Sequence, residues 1–313
     1  MDQGALPATT TPRWPQAAAM GCAYEPGGHG TSSVGLATAL AQAARGEHRS
    51  PRCQVNVSVN GSMPRAPYSD GRDGSSAGRR VASVRLSVED VVPLHLADVT
   101  FPDWHPLHGG TGAVLAFALR HPTGLLLFET GIGTGNQFID DLYQVQQRAI
   151  DAALAEHGHG VNDVRLIVNS HLHFDHCGNN PRFPGVPIYV QAAEYQATRE
   201  PNYTVPEWVD FDGAEYAVID GDAQVAEGVR ALSTPGHSPG HQSVVFDTAD
   251  GGVVLAGQAI YSRAEYEHLE ATNTVSEDDP PPDPEQYLVS AARLMQVQPR
   301  RVHFSHDTAV WEP

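Results

Sequence analysis

The sequence predicts an α/β domain of layered sheets and helices built around a metal centre, and three observations carry that prediction. From Val84 onward, short β-branched runs alternate with helix-patterned stretches, the arrangement that packs helices against sheets. One of those runs, Val164–Val168, leads into Ser170-His171-Leu172-His173-Phe174-Asp175-His176-Cys177-Gly178, which places four imidazole or carboxylate side chains within six positions. The charge also changes at the Val84 boundary. Residues 1–83 carry +3, from eight Arg against five acids, so residues 84–313 carry −21 of a total of −18.

The chain has 313 residues, of which 41% are hydrophobic and 18% charged. That composition supplies the core of a folded domain. There is no lysine, and every basic side chain other than histidine is arginine. So acidic a chain repels nucleic acid and anionic membranes, and a small neutral substrate is the expected partner. Cys22, Cys53 and Cys177 are sparse and odd in number. They form no disulfide framework, and a reducing, cytoplasmic compartment is expected. The sequence leaves the oligomeric state open, a homodimer included.

Residues 1–83 are rich in Ala, Gly, Ser, Pro and Arg and read as a disordered extension. Its one apolar run, Val34 to Ala44, is too short to span a bilayer and too deep in the chain for a signal peptide. Met63 is an alternative start. After it, Val84–Val88 and Val92–Val99 read as strands. The loop Phe101–His108 is aromatic, with Phe101 and Trp104 expected to line a pocket and His105 and His108 to be loop residues. Thr111–Leu119 and Gly124–Phe128 read as paired strands. The spacing of Phe138, Leu142, Val145, Ile150 and Leu154 predicts one amphipathic helix over 138–157, ended by Gly158 and Gly160. Val186–Val190 reads as a strand and 191–199 as a helix. Tyr203, Trp208 and Phe211 either anchor a surface loop or wall a cleft. Ser243–Phe246 and Val253–Leu255 pair across Asp250-Gly251-Gly252, a hairpin signal. Asp278–Asp283 reads as a solvated loop, Glu285–Val297 as a helix and Arg301–Asp307 as a final strand.

On extended backbone, side chains at i and i+2 share a face, so His171 and His173 converge on one ion. Asp175 and His176 follow the turn and face a neighbouring ion. Imidazole and carboxylate suit zinc and similar divalent metals. Buried without a metal, these groups would all need other partners. Cys177 reads as a small buried residue rather than a ligand.

The run SHLHFDHCGNN over 170–180 contains H-x-H-x-D-H, and it is followed by Thr234-Pro235-Gly236-His237-Ser238-Pro239-Gly240-His241 and by Ser305-His306-Asp307. On these motifs, the chain from about Val84 to its end resembles the metallo-β-lactamase superfamily, its N-acyl homoserine lactonase branch in particular. The resemblance implies a metallo-β-lactamase-type αββα sandwich, two mixed sheets flanked by helices, occupying residues 84–313. It implies one ion at His171, His173 and His237, a second at Asp175, His176 and His306, and Gln258 at the position bridging them. Zinc is the expected metal, as one or two ions, with other divalent metals open. His241 and His303 are expected to pack.

Two positions depart from the family pattern. Glu129-Thr130-Gly131 stands where Asp-Thr-Gly is usual, and Glu129 reads either as a partner behind the ligands or as a turn residue. Gly257-Gln258-Ala259 stands where Gly-Asp-Ala is usual. A neutral amide leaves two dications with one bridging anion fewer, so the second ion is expected to bind more weakly. The remaining water-derived bridge is then expected to have a lower pKa. The resemblance further implies opening of a lactone ring by water activated at the metals, with Asp175 carrying the proton and Tyr261 contacting the substrate carbonyl. Rival readings are hydrolysis of a thioester, β-lactam, sulfate ester or phosphodiester, a di-iron redox protein, and a degenerate single-metal binding protein.

Overall fold

The computed structural model describes residues 56–57, 84–105, 107–277 and 279–313. The expected N-terminal extension therefore lies outside the described residues, apart from Asn56–Val57. Strands β1 (Asn56–Val57), β2 (Val91–Thr100), β3 (Thr111–His121), β4 (Gly124–Phe128), β5 (Gln146–Gln147), β6 (Val164–Val168), β7 (Pro187–Gln191) and β8 (Glu215–Ile219) form one sheet. Its order is β1-β8-β7-β6-β4-β3-β2-β5. It is parallel from β1 to β4 and antiparallel beyond, so it is mixed. Strands β9 (Ala223–Ala226), β10 (Val229–Ser233), β11 (Gln242–Thr248), β12 (Gly251–Leu255) and β13 (Pro299–His303) form the second, in the order β13-β12-β11-β10-β9. Only the β12–β13 pair is parallel there.

The two-residue alternation of the strands sorts side chains between layers. Leu115, Phe117 and Leu119 of β3, with Leu126 and Phe128 of β4, meet Val229, Val244, Phe246, Val253 and Leu255 of the second sheet. Their neighbours Ala116, Ala118, Leu125 and Leu127 face the other way, onto Ile150, Ala153 and Leu154. Among the described residues seven helices accompany the sheets: α1 (Gln137–Tyr143), α2 (Ile150–Glu156), α3 (Phe174–Cys177), α4 (Ala192–Ala197), α5 (Pro206–Val209), α6 (Arg263–Thr272) and α7 (Pro284–Gln296). Tyr266 and Leu269 of α6 and Tyr287, Ala291 and Leu294 of α7 cover the outer face of the second sheet. The result is the expected sandwich of two mixed sheets between helices.

Two local expectations are corrected. The single helix over 138–157 is two helices, α1 and α2. Gln144 adopts a left-handed conformation (φ 47) and closes α1, and Gln146–Gln147 then pairs with β2 at the sheet edge. Val84–Val88 is not a ladder strand, since only Leu86 bridges, to Thr248. Ser87 and Asp90 instead form a capping box on a 3-10 turn, the Ser87 N–H donating to Asp90 Oδ2 at 2.7 Å.

Candidate metal centre and its cleft

The ligand candidates all leave strand ends at one edge of the sandwich. After β6 the chain stays extended through His173 (φ −68, ψ 160) and then turns into α3. His171 and His173 so precede the turn, while Asp175 and His176 lie on it. His237 comes from the loop after β10. There Gly236 (φ +136) is required, because a Cβ would lie 2.5 Å from the Tyr287 backbone. His306 follows β13, and Gln258 follows β12.

These side chains assemble into two clusters, His171–His173–His237 and Asp175–His176–His306, each with its ligand atoms within 4.8 Å of one another. In the first, His171 Nε2 lies 2.9 Å from His173 Nδ1, and His237 Nε2 lies 3.2 and 3.3 Å from those two atoms. In the second, His176 Nε2 and His306 Nε2 are 3.2 Å apart, with Asp175 Oδ2 at 3.4 and 3.5 Å. A tetrahedral ion with ligand bonds of about 2.0–2.1 Å spaces its ligand atoms by about 3.3 Å. Both clusters therefore fit a divalent metal. The two adjoin, the His171 and His176 rings lying 4.0 Å apart.

The electrostatics agree with that fit. Burial holds His171 and His237 well below the ordinary imidazole range and brings His173 and His306 to about 4. These rings are neutral at pH 7, the form that binds metal. Nδ1 of His306 donates to the Ala113 carbonyl at 2.9 Å and Nδ1 of His171 meets Ser170 Oγ at 2.8 Å, leaving each Nε2 to face its cluster. Burial alone would lower His176, but the charges of Asp175 and Glu129 outweigh it and hold it at about 10. Burial alone would raise Asp175, but its contacts with His176 hold it below the usual carboxylate range. A dication held by His176 Nε2 would take the place of that proton.

Glu129 lies behind the second cluster. It is buried in the left-handed region (φ 69) and accepts the Ser170 N–H at 3.2 Å. Its Oε1 sits 3.2 Å from His176 Nδ1, and neither atom has a hydrogen-bonding partner. Both sequence alternatives for Glu129 have a contact: it stands behind His176, and in a left-handed turn it holds the Ser170 N–H.

Gln258 is almost fully buried at the cleft floor. Its backbone N–H donates to His241 Nε2 at 2.9 Å. Tyr261 stacks on His306, with centroids 4.8 Å apart at 21°, and lines the cleft. Cys177 belongs to neither cluster. Its thiol is buried, contacts the carbonyls of Leu172 and His173, and is pushed up by burial. His303 packs on Phe117, as expected.

A cleft of about 680 Å³ opens over both clusters. One wall is apolar: Val99, Phe101, Leu107, Val114, Tyr143 and Phe174. The other is polar, with Ser262, Glu265, His268, Thr274, Glu277 and Asp279. Phe101 lines it as expected. Trp104 does not, and instead sets its edge against Tyr143 while remaining exposed. His105, expected to be a loop residue, stacks on Phe101 and lines the cleft. Pro280–Pro282, expected in a solvated loop, also line it. Of Tyr203, Trp208 and Phe211 none does. Trp208 is buried against Gly133, and Tyr203 covers His173, with ring centroids 4.8 Å apart.

Three buried polar residues of this region hold its loops in place, a role the sequence does not display. His241 was expected only to pack, yet its ring links Thr234 Oγ1 (2.9 Å) to the Gln258 N–H, joining two ligand loops. Asn180 accepts from Thr130 Oγ1 and donates to Asn169 Oδ1, each at 2.9 Å, beneath the histidine motif. Glu194 receives hydrogen bonds from both loops that carry the first cluster.

Comparison with known proteins agrees with this geometry. Residues 109–306 match the family model of the metallo-beta-lactamase superfamily. An N-acyl homoserine lactonase of Bacillus cereus is 33% identical over 167 residues, 49% of this chain and 66% of that protein. One from Bacillus thuringiensis is 38% identical over 157 residues, 48% of this chain and 58% of that protein. The chain thus spans less than two thirds of the length of these curated relatives. A crystal structure of an N-acyl homoserine lactone hydrolase, with the product N-hexanoyl-L-homoserine at its catalytic metal centre, superposes with a TM-score of 0.58 at 28% identity. The match covers 72% of this chain and 94% of that one. With the motif match extending over most of the described residues and both clusters formed, the chain belongs to the metallo-β-lactamase superfamily.

Proposed function

We propose that residues 84–313 form a metal-dependent hydrolase domain that opens a lactone ring, N-acyl homoserine lactones being the substrate class. The observation that carries this reading is the cleft itself. Two adjoining clusters of metal-binding side chains lie at its floor, Asp175 and Tyr261 line it, and one of its walls is apolar. Zinc is the proposed metal. Bound there, the ions would act as Lewis acids on the carbonyl and lower the pKa of water.

The protein's own groups divide the remaining work. The apolar wall from Val99 to Phe174 holds an acyl chain and excludes water. The Tyr261 hydroxyl donates to the carbonyl oxygen as it takes up negative charge. Asp175, held ionised at neutral pH, takes the proton from the attacking water and returns it to the leaving alkoxide. Among the described residues no arginine lines the cleft, and the chain has no lysine. A substrate carboxylate, sulfate or phosphate would therefore meet no guanidinium or ammonium group in that lining, which favours a neutral ester over a β-lactam, sulfate ester or phosphodiester.

Among the described residues no helix is long and apolar enough to cross a membrane. Cys177 is a buried free thiol, in keeping with the proposed cytoplasmic setting. The test is proton release from a panel of N-acyl homoserine lactones, with metal-loaded and chelated protein. Acid release that chelation abolishes is the expected result. No release at any chain length, with metal content confirmed, refutes the substrate assignment.

A further inference from the structure

Nothing in the mechanism above uses Glu194, yet it is a fully buried carboxylate beside the metal centre. It lies in α4, outside every ligand motif. Its Oε1 accepts the Leu172 N–H at 2.9 Å and the Tyr203 hydroxyl; its Oε2 accepts Ser238 Oγ–H at 2.7 Å and the Gly240 N–H at 3.1 Å. Leu172 stands between His171 and His173, and Ser238 follows His237. One side chain therefore holds both loops that supply the first cluster. Tyr203, its fourth donor, is the residue whose ring covers His173. The loop also rests directly on the helix, since a Cβ on Gly240 would come 2.2 Å from the Glu194 backbone nitrogen.

The second cluster is held by other groups. Glu129 stands behind His176, and the Ala113 carbonyl holds His306. Glu194's donors belong to neither cluster, but Leu172 and Ser238 are chain neighbours of His171, His173 and His237, whereas Asp175 and His176 lie beyond the turn into α3. Satisfying four donors needs a carboxylate, because a glutamine amide would present hydrogens to donors on one side. A ligand set drawn from two separate loops keeps its spacing only if something fixes the loops to each other, and the groups behind metal ligands are commonly worth about 10–100-fold in affinity.

We propose that Glu194 is the positioning residue of the three-histidine metal position. It sets the separation of the loops carrying His171, His173 and His237, so ion affinity at that position depends on its carboxylate while affinity at Asp175–His176–His306 does not. This inference rests on the metal-binding part of the function proposed above and is independent of the substrate.

The experiment compares Glu194→Gln in two backgrounds. His306→Ala leaves the three-histidine cluster intact, and His237→Ala leaves the other. Zinc affinity is measured by competition with a chromophoric chelator, and the ligand field is followed by cobalt(II) absorption. The expected result is about 10–100-fold weaker binding and a shifted cobalt spectrum in the first background, with less than about a threefold change in the second. Equal losses in both backgrounds, or none in the first, overturn the proposal. If Glu194→Gln does not fold, Tyr203→Phe removes one of the four donors. It should give a smaller loss confined to the same background, and a loss in both or in neither overturns the proposal. Absence of zinc binding in both parent backgrounds defeats the metal reading itself, and this inference with it. Failure to hydrolyse lactones would defeat the proposed substrate and leave these titrations unchanged.

Discussion

Gln258→Asp tests the charge of the metal centre directly. The six candidate ligands carry one carboxylate, Asp175, and the two clusters are close enough for the His171 and His176 rings to lie 4.0 Å apart. Two dications held in these adjoining clusters would have four positive charges to compensate, and the buried amide of Gln258 contributes nothing to that balance. At an effective dielectric of about 20, a unit charge about 4 Å from a dication is worth roughly 8 kcal/mol before desolvation. Burying the new carboxylate costs several kcal/mol of that. A net gain of about 3 kcal/mol remains, which is roughly a hundredfold in affinity for the second ion. Metal per chain is measured by mass spectrometry after dialysis against a limited chelator, with stepwise dissociation constants from competition. The wild-type protein should retain one ion and the variant two. Thermal unfolding of both establishes that the variant is folded. A wild-type protein that retains two ions as tightly as Gln258→Asp would refute the reasoning.

Tyr261→Phe should lower lactone turnover by up to about a hundredfold, the scale of one lost oxyanion donor. Metal content should stay the same, because the tyrosine stacks on His306 without belonging to either cluster; unchanged turnover removes it from the mechanism. His303 supplies a test of pH dependence away from the ligands. Burial lowers its pKa from 6.5 to about 4, so the folded state resists the proton that the unfolded chain accepts. The stabilisation is complete above pH 6.5 and is lost as pH falls through 4. His303→Leu should flatten that limb of the unfolding free energy by up to about 3 kcal/mol, read from denaturant midpoints between pH 7 and 4. A variant with the same acid slope as wild type would contradict this.

The parts of the fold legible in the sequence are those set by local pattern. Turn residues mark the Thr111–Leu119 and Gly124–Phe128 pair and the hairpin at Asp250-Gly251-Gly252, a β-branched apolar run marks the strand into His171, and all three are present. The helix expected over 138–157 failed because its apolar spacing continued through a break. Gln144 in a left-handed conformation has no reserved residue type, and Gln146–Gln147 is a strand only because β2 offers it an edge. The misread start at Val84–Val88 did leave a local sign: Ser87 and Asp90 are spaced as a capping box, inside an alternation of two valines and a leucine that reads as a strand.

The candidate site divides along the same line. Ligands sit at fixed short spacings within their own loops, so the sequence displays His171, His173, Asp175 and His176 together. What holds those loops against one another is spread along the chain and has no spacing to display. Glu194 reaches 22 residues back to Leu172 and 46 forward to Gly240. Glu129 reaches 41 residues to Ser170, and His241 reaches 17 to Gln258. Each is a polar group buried to near zero exposure, which is costly unless partners compensate for the lost water. The assignment of one carboxylate to each side of the centre follows. Glu129 stands behind the cluster that already contains Asp175, and Glu194 stands behind the cluster that contains no charge. Changes at Gln258 alter the charge shared by the two positions, whereas changes at Glu194 alter the geometry of one. Titrations that separate the two positions therefore distinguish an electrostatic defect from a positional one, which activity alone would merge.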